Sequence, residues 1–173
     1  MMPSQDWPGA VYAALKNARV TQMGYVPDAG HAALIEAAHA DPAMRAVVLT
    51  TEEEGIALAA GAWLGGSRAV LLMQSSGVGN CINMLSLPVN CRMPFLTLVT
   101  MRGEWGEFNP WQVPMGAATP GVLSAVGVHV RRADHPDEVA ETVAASAALA
   151  FDSAVSVAVL LGQRLIGSKV WVK

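Results

Sequence analysis

Three consecutive carboxylates, Glu52, Glu53 and Glu54, stand between an apolar run and an Ala-rich segment in LTTEEEGIALAAGAWLGG, residues 49–66. A carboxylate at such a junction has two uses. It complements the positive end of the following helix, or, shielded from water, it exchanges a proton with a ligand as a general acid or base. Thr51 followed three positions on by Glu54 is the spacing of a capping box and predicts that a helix starts here. The helix-dipole role accounts for the carboxylates but not for Ala57, Ala59, Ala60, Gly61 and Ala62, whose near-absence of side chain predicts a close approach to this backbone. A second polar group, Gln74-Ser75-Ser76-Gly77-Val78-Gly79-Asn80, follows another apolar run. Gly77-Val78-Gly79 alone suggests a dinucleotide turn with backbone amides facing a pyrophosphate, but the fingerprint needs a third glycine where Ile82 stands. Ser75 and Ser76 lack the GxSxG elbow of hydrolases. Gln74, Ser76 and Asn80 can contact a ligand or simply satisfy loop amides. His31 is either a proton relay near the same rim or a helix-surface residue. Arg102 can face an anion.

These groups need a scaffold, and the apolar pattern supplies one. Ser4 or Asp6 caps a first helix through Ala18, and Val20 to Tyr25 reads as a strand. Asp28 caps a helix through His39, stopped by Asp41-Pro42. Val47 to Leu49 reads as a short buried strand before the Ala-rich helix. Ala69 to Met73 is the next strand, with residues 74–80 as its turn and a helix through Val89. Phe95 to Thr100, a polar and aromatic loop from Met101 to Pro114, a helix over 116–126, a strand at Val128 to Val130, a helix over 136–151 and a strand at Ser156 to Leu161 complete the chain. This alternation predicts one α/β domain over residues 1–173, three layers α/β/α around a six-stranded parallel sheet. In such sheets ligands bind beyond the carboxyl ends of the strands. Those ends are followed by residues 26–31, 50–54, 74–79 and 101–114, which hold most of the unusual residues.

Composition narrows the function. The chain has 173 residues, 53% hydrophobic and only 14% charged, against about 25% charged in ordinary soluble chains. That deficit predicts extensive burial, including against another subunit. A net charge of −3 without a basic stripe excludes a nucleic-acid partner. Cys81 and Cys91 lack metal-ligand spacing, so no metal site is expected on this chain. The first residues, MMPSQDWP, do not read as a signal peptide, no run reaches membrane-spanning length, and a cytoplasmic location is the default expectation.

Strand, glutamate and a small-residue helix with Gly61 nine positions after Glu52 resemble the pyrimidine-binding (PYR) domain of thiamine diphosphate-dependent decarboxylases. Trp63 and Thr51 depart from the residues usual there. QSSGVGNCINMLSL, Val26-Pro27-Asp28 and RGEWGEFNPWQVPMG resemble segments of sulfopyruvate and phosphonopyruvate decarboxylases, and the motif order agrees from about residue 20 to 165. The resemblance implies that Glu52 hydrogen-bonds the cofactor's aminopyrimidine ring as the catalytic carboxylate. Pro27, Gln74, Ser76, Gly77 and Asn80 are then cofactor contacts, and Asp28, His31, Arg102 and Gln112 substrate contacts. Glu53 and Glu54 remain helix-start carboxylates, and Trp105, Phe108 and Trp111 form either a lid or a subunit contact. The family's Gly-Asp-Gly motif for magnesium and the diphosphate occurs nowhere in the chain. The resemblance therefore implies half a site. A beta subunit would hold thiamine diphosphate's diphosphate and its magnesium, and PYR domains would self-associate around an anionic 2-keto acid substrate. A flavodoxin-like binding module and a non-catalytic regulatory subunit are the alternatives. Neither explains the glutamate-to-glycine spacing.

Overall fold

The computed structural model describes residues 6–167. Its centre is a six-stranded, wholly parallel sheet of β1 (Val20–Tyr25), β2 (Arg45–Val48), β3 (Arg68–Gln74), β4 (Phe95–Thr100), β5 (His129–Ala133) and β6 (Ser156–Leu161), in the spatial order β2-β1-β3-β4-β6-β5. Of the four interior strands, β3, β4 and β6 are largely apolar on both faces because helices cover both.

Alternate side chains of one strand feed two cores. Val70, Leu72, Leu96 and Leu98 pack with α1 (Trp7–Asn17), α2 (Ala32–Ala40) and α7 (Pro136–Ser153). Leu71, Met73, Phe95 and Val99 pack on the opposite face. That face is covered by α3 (Glu52–Leu64), α4 (Ser75–Cys81), α5 (Ser86–Cys91) and α6 (Val113–Ala125). A short α8 (Gln163–Ile166), unforeseen in the sequence, follows β6. Asp6 caps α1 by accepting from Gly9 N; Ser4 lies outside the described residues.

Several local expectations are corrected. The run 74–80 is not a turn: α4 begins directly at Ser75. β2 is an edge strand, with Val48 62% exposed, rather than a buried one. β5 runs on to Ala133 with Arg131 and Arg132 exposed, because it is the other edge. Thr51 makes no side-chain cap; Glu54 Oε2 instead accepts from Thr50 N at 2.8 Å. The close approach on α3 comes at Gly55, where a Cβ would collide with Leu71 of β3, while Ala57 and Gly61 face outward.

The order places β1 beside β3. From β1 the chain leaves toward the β2 edge, and from β3 it leaves toward β4, so the connections part company there. Such a switch point opens a crevice at the carboxyl ends. Among the described residues no helix is long and apolar enough to cross a membrane.

Candidate active site

The crevice at the switch point is a cavity of about 130 Å³ lined by Val26, Pro27, Asp28, Glu52, Gln74 and Ser76. Three connections converge there: the end of β1 brings Val26 to Asp28, the first turn of α3 brings Glu52, and the β3–α4 junction brings Gln74 and Ser76. A cavity of this size holds a few waters or one small ring.

Glu52 is the buried member of the carboxylate triplet, 9% exposed, while Glu53 and Glu54 face solvent. Its Oε2 accepts from Asn80 Nδ2 at 2.9 Å. Its carboxyl group lies over the Cα of Gly77, where any Cβ would overlap it. Two glycines weaken a helix by roughly 1 kcal/mol each relative to alanine, yet α4 forms through Gly77 and Gly79. At Gly77 the room needed by Glu52 outweighs helix propensity.

The other polar groups form one network around Asp28. Asp28 Oδ2 accepts from Gly30 N at 3.0 Å and from Thr100 Oγ1 at 2.8 Å. Its Oδ1 accepts from Gln74 Nε2 at 2.9 Å, and Gln74 Oε1 accepts from Ser76 Oγ at 2.8 Å. Thr100, at the end of β4, escaped the sequence reading because a threonine in an apolar strand looks like a β-former.

His31 is not on the helix surface. It ends a 3₁₀ turn, Ala29–His31, and is 0% exposed, with Nε2 3.2 Å from the carbonyl oxygen of Met73. Burial pushes its imidazole below the usual range, against the raising influence of Asp28.

Arg102 stands just past the carboxyl end of β4, but it is not an open cation. Its Nε and Nη2 donate to Glu107 at 2.7 and 2.5 Å in a buried fork. Arg102 pairing and the backbone amides of Asn109 and Gly103 hold the Glu107 carboxyl down at about 2. Gln163 of α8 joins them: its Nε2 donates to Glu107 Oε2, while its Oε1 accepts from Glu104 N and Trp105 N. Glu107 and Gln163 were missed for a physical reason. Their partners are five and fifty-six residues from Glu107, too irregular for any periodic signal. Gln112 ends a second 3₁₀ turn at the start of α6, with Oε1 buried and unpartnered. Trp105, Phe108 and Trp111 remain exposed, Trp105 beneath the Arg164 guanidinium at 3.9 Å.

The structure thus gathers Pro27, Asp28, Glu52, Gln74 and Ser76 at one cavity, with Gly77 and Asn80 holding Glu52. It leaves His31, Arg102 and Gln112 out of the cavity wall. A larger hollow of about 440 Å³ near Arg132 and Arg164 contains none of the expected site residues apart from the flanking loop's Trp105. Among the described residues no group of His, Cys, Asp and Glu is arranged to hold a metal ion.

No protein-family model matches the chain. Sulfopyruvate decarboxylase subunit alpha of Methanothermobacter thermautotrophicus is 39% identical over 153 residues, covering 88% of this chain and 93% of the relative. Phosphonopyruvate decarboxylase of Streptomyces viridochromogenes is 40% identical over 113 residues, 64% of this chain but 28% of that protein. A solved structure of 2-oxoglutarate:ferredoxin oxidoreductase from Magnetococcus marinus matches with a TM-score of 0.76 at 16% identity. It covers 92% of this chain and 29% of the solved one, and the likeness is one of fold.

Proposed function

The chain belongs to the family of sulfopyruvate decarboxylase alpha subunits, and we propose that it is one half of a thiamine diphosphate-dependent site converting sulfopyruvate to sulfoacetaldehyde and carbon dioxide. The observation that carries the reading is Glu52: a buried carboxylate with Oε2 tied to Asn80 and Oε1 uncommitted, at a cavity sized for a small ring. That donor set fits an aminopyrimidine. A beta subunit holds the diphosphate and magnesium, for which this chain lacks the motif.

When bound, thiamine diphosphate supplies the electron sink that lets a 2-keto acid lose its carboxylate. This chain's residues orient and tune. Glu52 Oε1 shares a proton with a ring nitrogen, and its burial keeps water from competing for that proton. Gly77 makes room for the carboxyl group, Asn80 fixes its rotation, and Pro27 closes the cavity beside it. Asp28, Gln74 and Ser76 form the opposing wall.

The wall has two carboxylates, Asp28 and Glu52, and no cation. Arg102 is already neutralised by Glu107. An unpaired buried anion is too unfavourable to bind, so the substrate's sulfonate takes its counter-charge from the partner subunit. Arg102 acts by ordering the loop after β4.

The test is reconstitution with a second chain bearing Gly-Asp-Gly, measuring carbon dioxide release from sulfopyruvate, phosphonopyruvate and pyruvate. The pair should turn over sulfopyruvate in preference to pyruvate, and each chain alone should be inactive. Turnover by this chain alone, or equal handling of pyruvate, would contradict the reading.

A further inference from the structure

β3 passes into α4 without a linking residue, and the junction carries the parts that hold Glu52. α4 begins at Ser75 and brings Gly77 and Asn80 against its carboxyl group. The ladder shows what fixes the point of departure. β3 and β4 pair in register from Leu71 opposite Thr97 to Gln74 opposite Thr100. Along β4 the amides alternate in direction. Those of Phe95 and Met101 donate to Val155 and Leu161 on the β6 side, so the amides of the even-numbered residues face β3. In that register the next rung would run from the amide of Arg102 to the carbonyl oxygen of Ser75.

The rung is kept, but with a different oxygen. The Ser75 carbonyl has turned toward α6, 3.5 Å from Thr119 Oγ1. The hydroxyl of the same residue stands in for it: Arg102 N donates to Ser75 Oγ at 3.1 Å. The direction of this bond is settled, since a backbone amide only donates. Both residues are buried, Ser75 at 0% and Arg102 at 7% exposed, and an amide left bare there would cost about 1–3 kcal/mol. Without a hydroxyl at position 75 the chain has two outcomes. Either the Arg102 amide stays unsatisfied, or β3 runs on until a carbonyl completes the rung, which moves the start of α4.

We propose that Ser75 is a positioning residue. Its hydroxyl completes the β3–β4 ladder where the backbone leaves it, and so fixes where Gly77 and Asn80 meet Glu52. Ser75 does not line the cavity; it acts through the seat of Glu52. The effect on catalysis rests on the function proposed above, whereas the hydrogen bond and its place in the ladder do not.

The experiment uses the full chain, labelled with ¹⁵N. In wild type the Arg102 amide should exchange with solvent as slowly as that of Met101, although it lies beyond the last β3–β4 pair. In Ser75→Ala the Arg102 amide proton should move upfield, and its exchange should quicken about tenfold relative to Met101, the scale of one lost hydrogen bond. Ser75→Thr, which keeps a hydroxyl, should restore both. If Ser75→Ala does not fold, Ser75→Cys, whose sulfur is a weak acceptor, takes its place in the same comparison. An Arg102 amide that exchanges like an open loop in wild type, or that ignores loss of the hydroxyl in a folded variant, would overturn the proposal. In the reconstituted pair Ser75→Ala should slow deuterium exchange at the thiazolium carbon and kcat by about 10–10²-fold, with KM for sulfopyruvate little changed. Ser75→Thr should recover most of that loss. Wild-type exchange at the thiazolium carbon in Ser75→Ala would overturn the positioning role. A wild-type pair without decarboxylase activity would overturn the proposed function and leave the Arg102 amide result standing.

Discussion

Gly77 carries a hydrogen where any other residue would place a Cβ in the Glu52 carboxyl group. The colliding atoms are the far end of a flexible side chain, so Gly77→Ala should fold normally. Alanine is favoured over glycine within a helix by roughly 0.5–1 kcal/mol, and thermal unfolding should show unchanged or slightly raised stability. Glu52, however, would be pushed from its place beside Asn80. Decarboxylation by the reconstituted pair should fall by about 10²–10⁴, the ordinary scale of a lost acid–base group. Wild-type turnover in Gly77→Ala would mean that the seat of Glu52 is not what matters. Arg102→Met separates two roles in the same way. Because Glu107 already neutralises the guanidinium, kcat/KM for sulfopyruvate and pyruvate should decline by the same factor. A loss selective for sulfopyruvate would return Arg102 to the role of substrate cation that its place at the strand end suggested.

The loop after β4 is held by a buried charge pair and a glutamine. Removing one partner of such a pair leaves the other uncompensated, typically at about 3–5 kcal/mol, and Glu107→Gln should destabilise the chain on that scale at neutral pH. The Glu107 carboxyl, at about 2 when folded, lies below its ordinary value. The folded state therefore binds fewer protons than the unfolded one. The stabilisation is complete above about pH 4.5 and is lost as pH falls toward 2. Denaturation midpoints of wild type and Glu107→Gln should converge over that range, and a gap unchanged at pH 3 would contradict the latch. In the sheet, Leu98 of β4 is fully buried, and Leu98→Ala should cost about 2–5 kcal/mol in urea unfolding. The elements differed in how well sequence announced them. β3, β4 and β6 are apolar runs of the right length, and their existence was plain. The edge strands β2 and β5 were read too short or too buried, because strand order is a long-range property that no local window contains. α4 was read as a turn since Gly77 and Gly79 oppose a helix; the reason for glycine at 77, the carboxyl group of Glu52, lies twenty-five residues upstream.

For the molecule as a whole, the alternation of strand and helix was enough to predict a parallel sheet and the rim at which a site would form. It did not predict that the site would lie at the β1–β3 switch point, because that follows from the order β2-β1-β3-β4-β6-β5. Pro27, Asp28, Glu52, Gln74 and Ser76 were legible since each lies at or shortly beyond the carboxyl end of a strand. The depth of His31, the role of Thr100 and the Glu107–Gln163 clasp were not, since each depends on a contact made only after folding. The resulting cavity is one-sided, rich in carboxylates and without a cation, as half of a divided site would be. Glu52, alone of its triplet, is proposed to exchange a proton with the bound cofactor. The most direct measurement is the rate of deuterium exchange at the thiazolium carbon of thiamine diphosphate bound to the reconstituted pair, in wild type, Glu52→Gln and Glu53→Gln. Exchange slowed by about 10²–10⁴ in Glu52→Gln and near wild type in Glu53→Gln is the predicted result; fast exchange in Glu52→Gln with slow exchange in Glu53→Gln would contradict it.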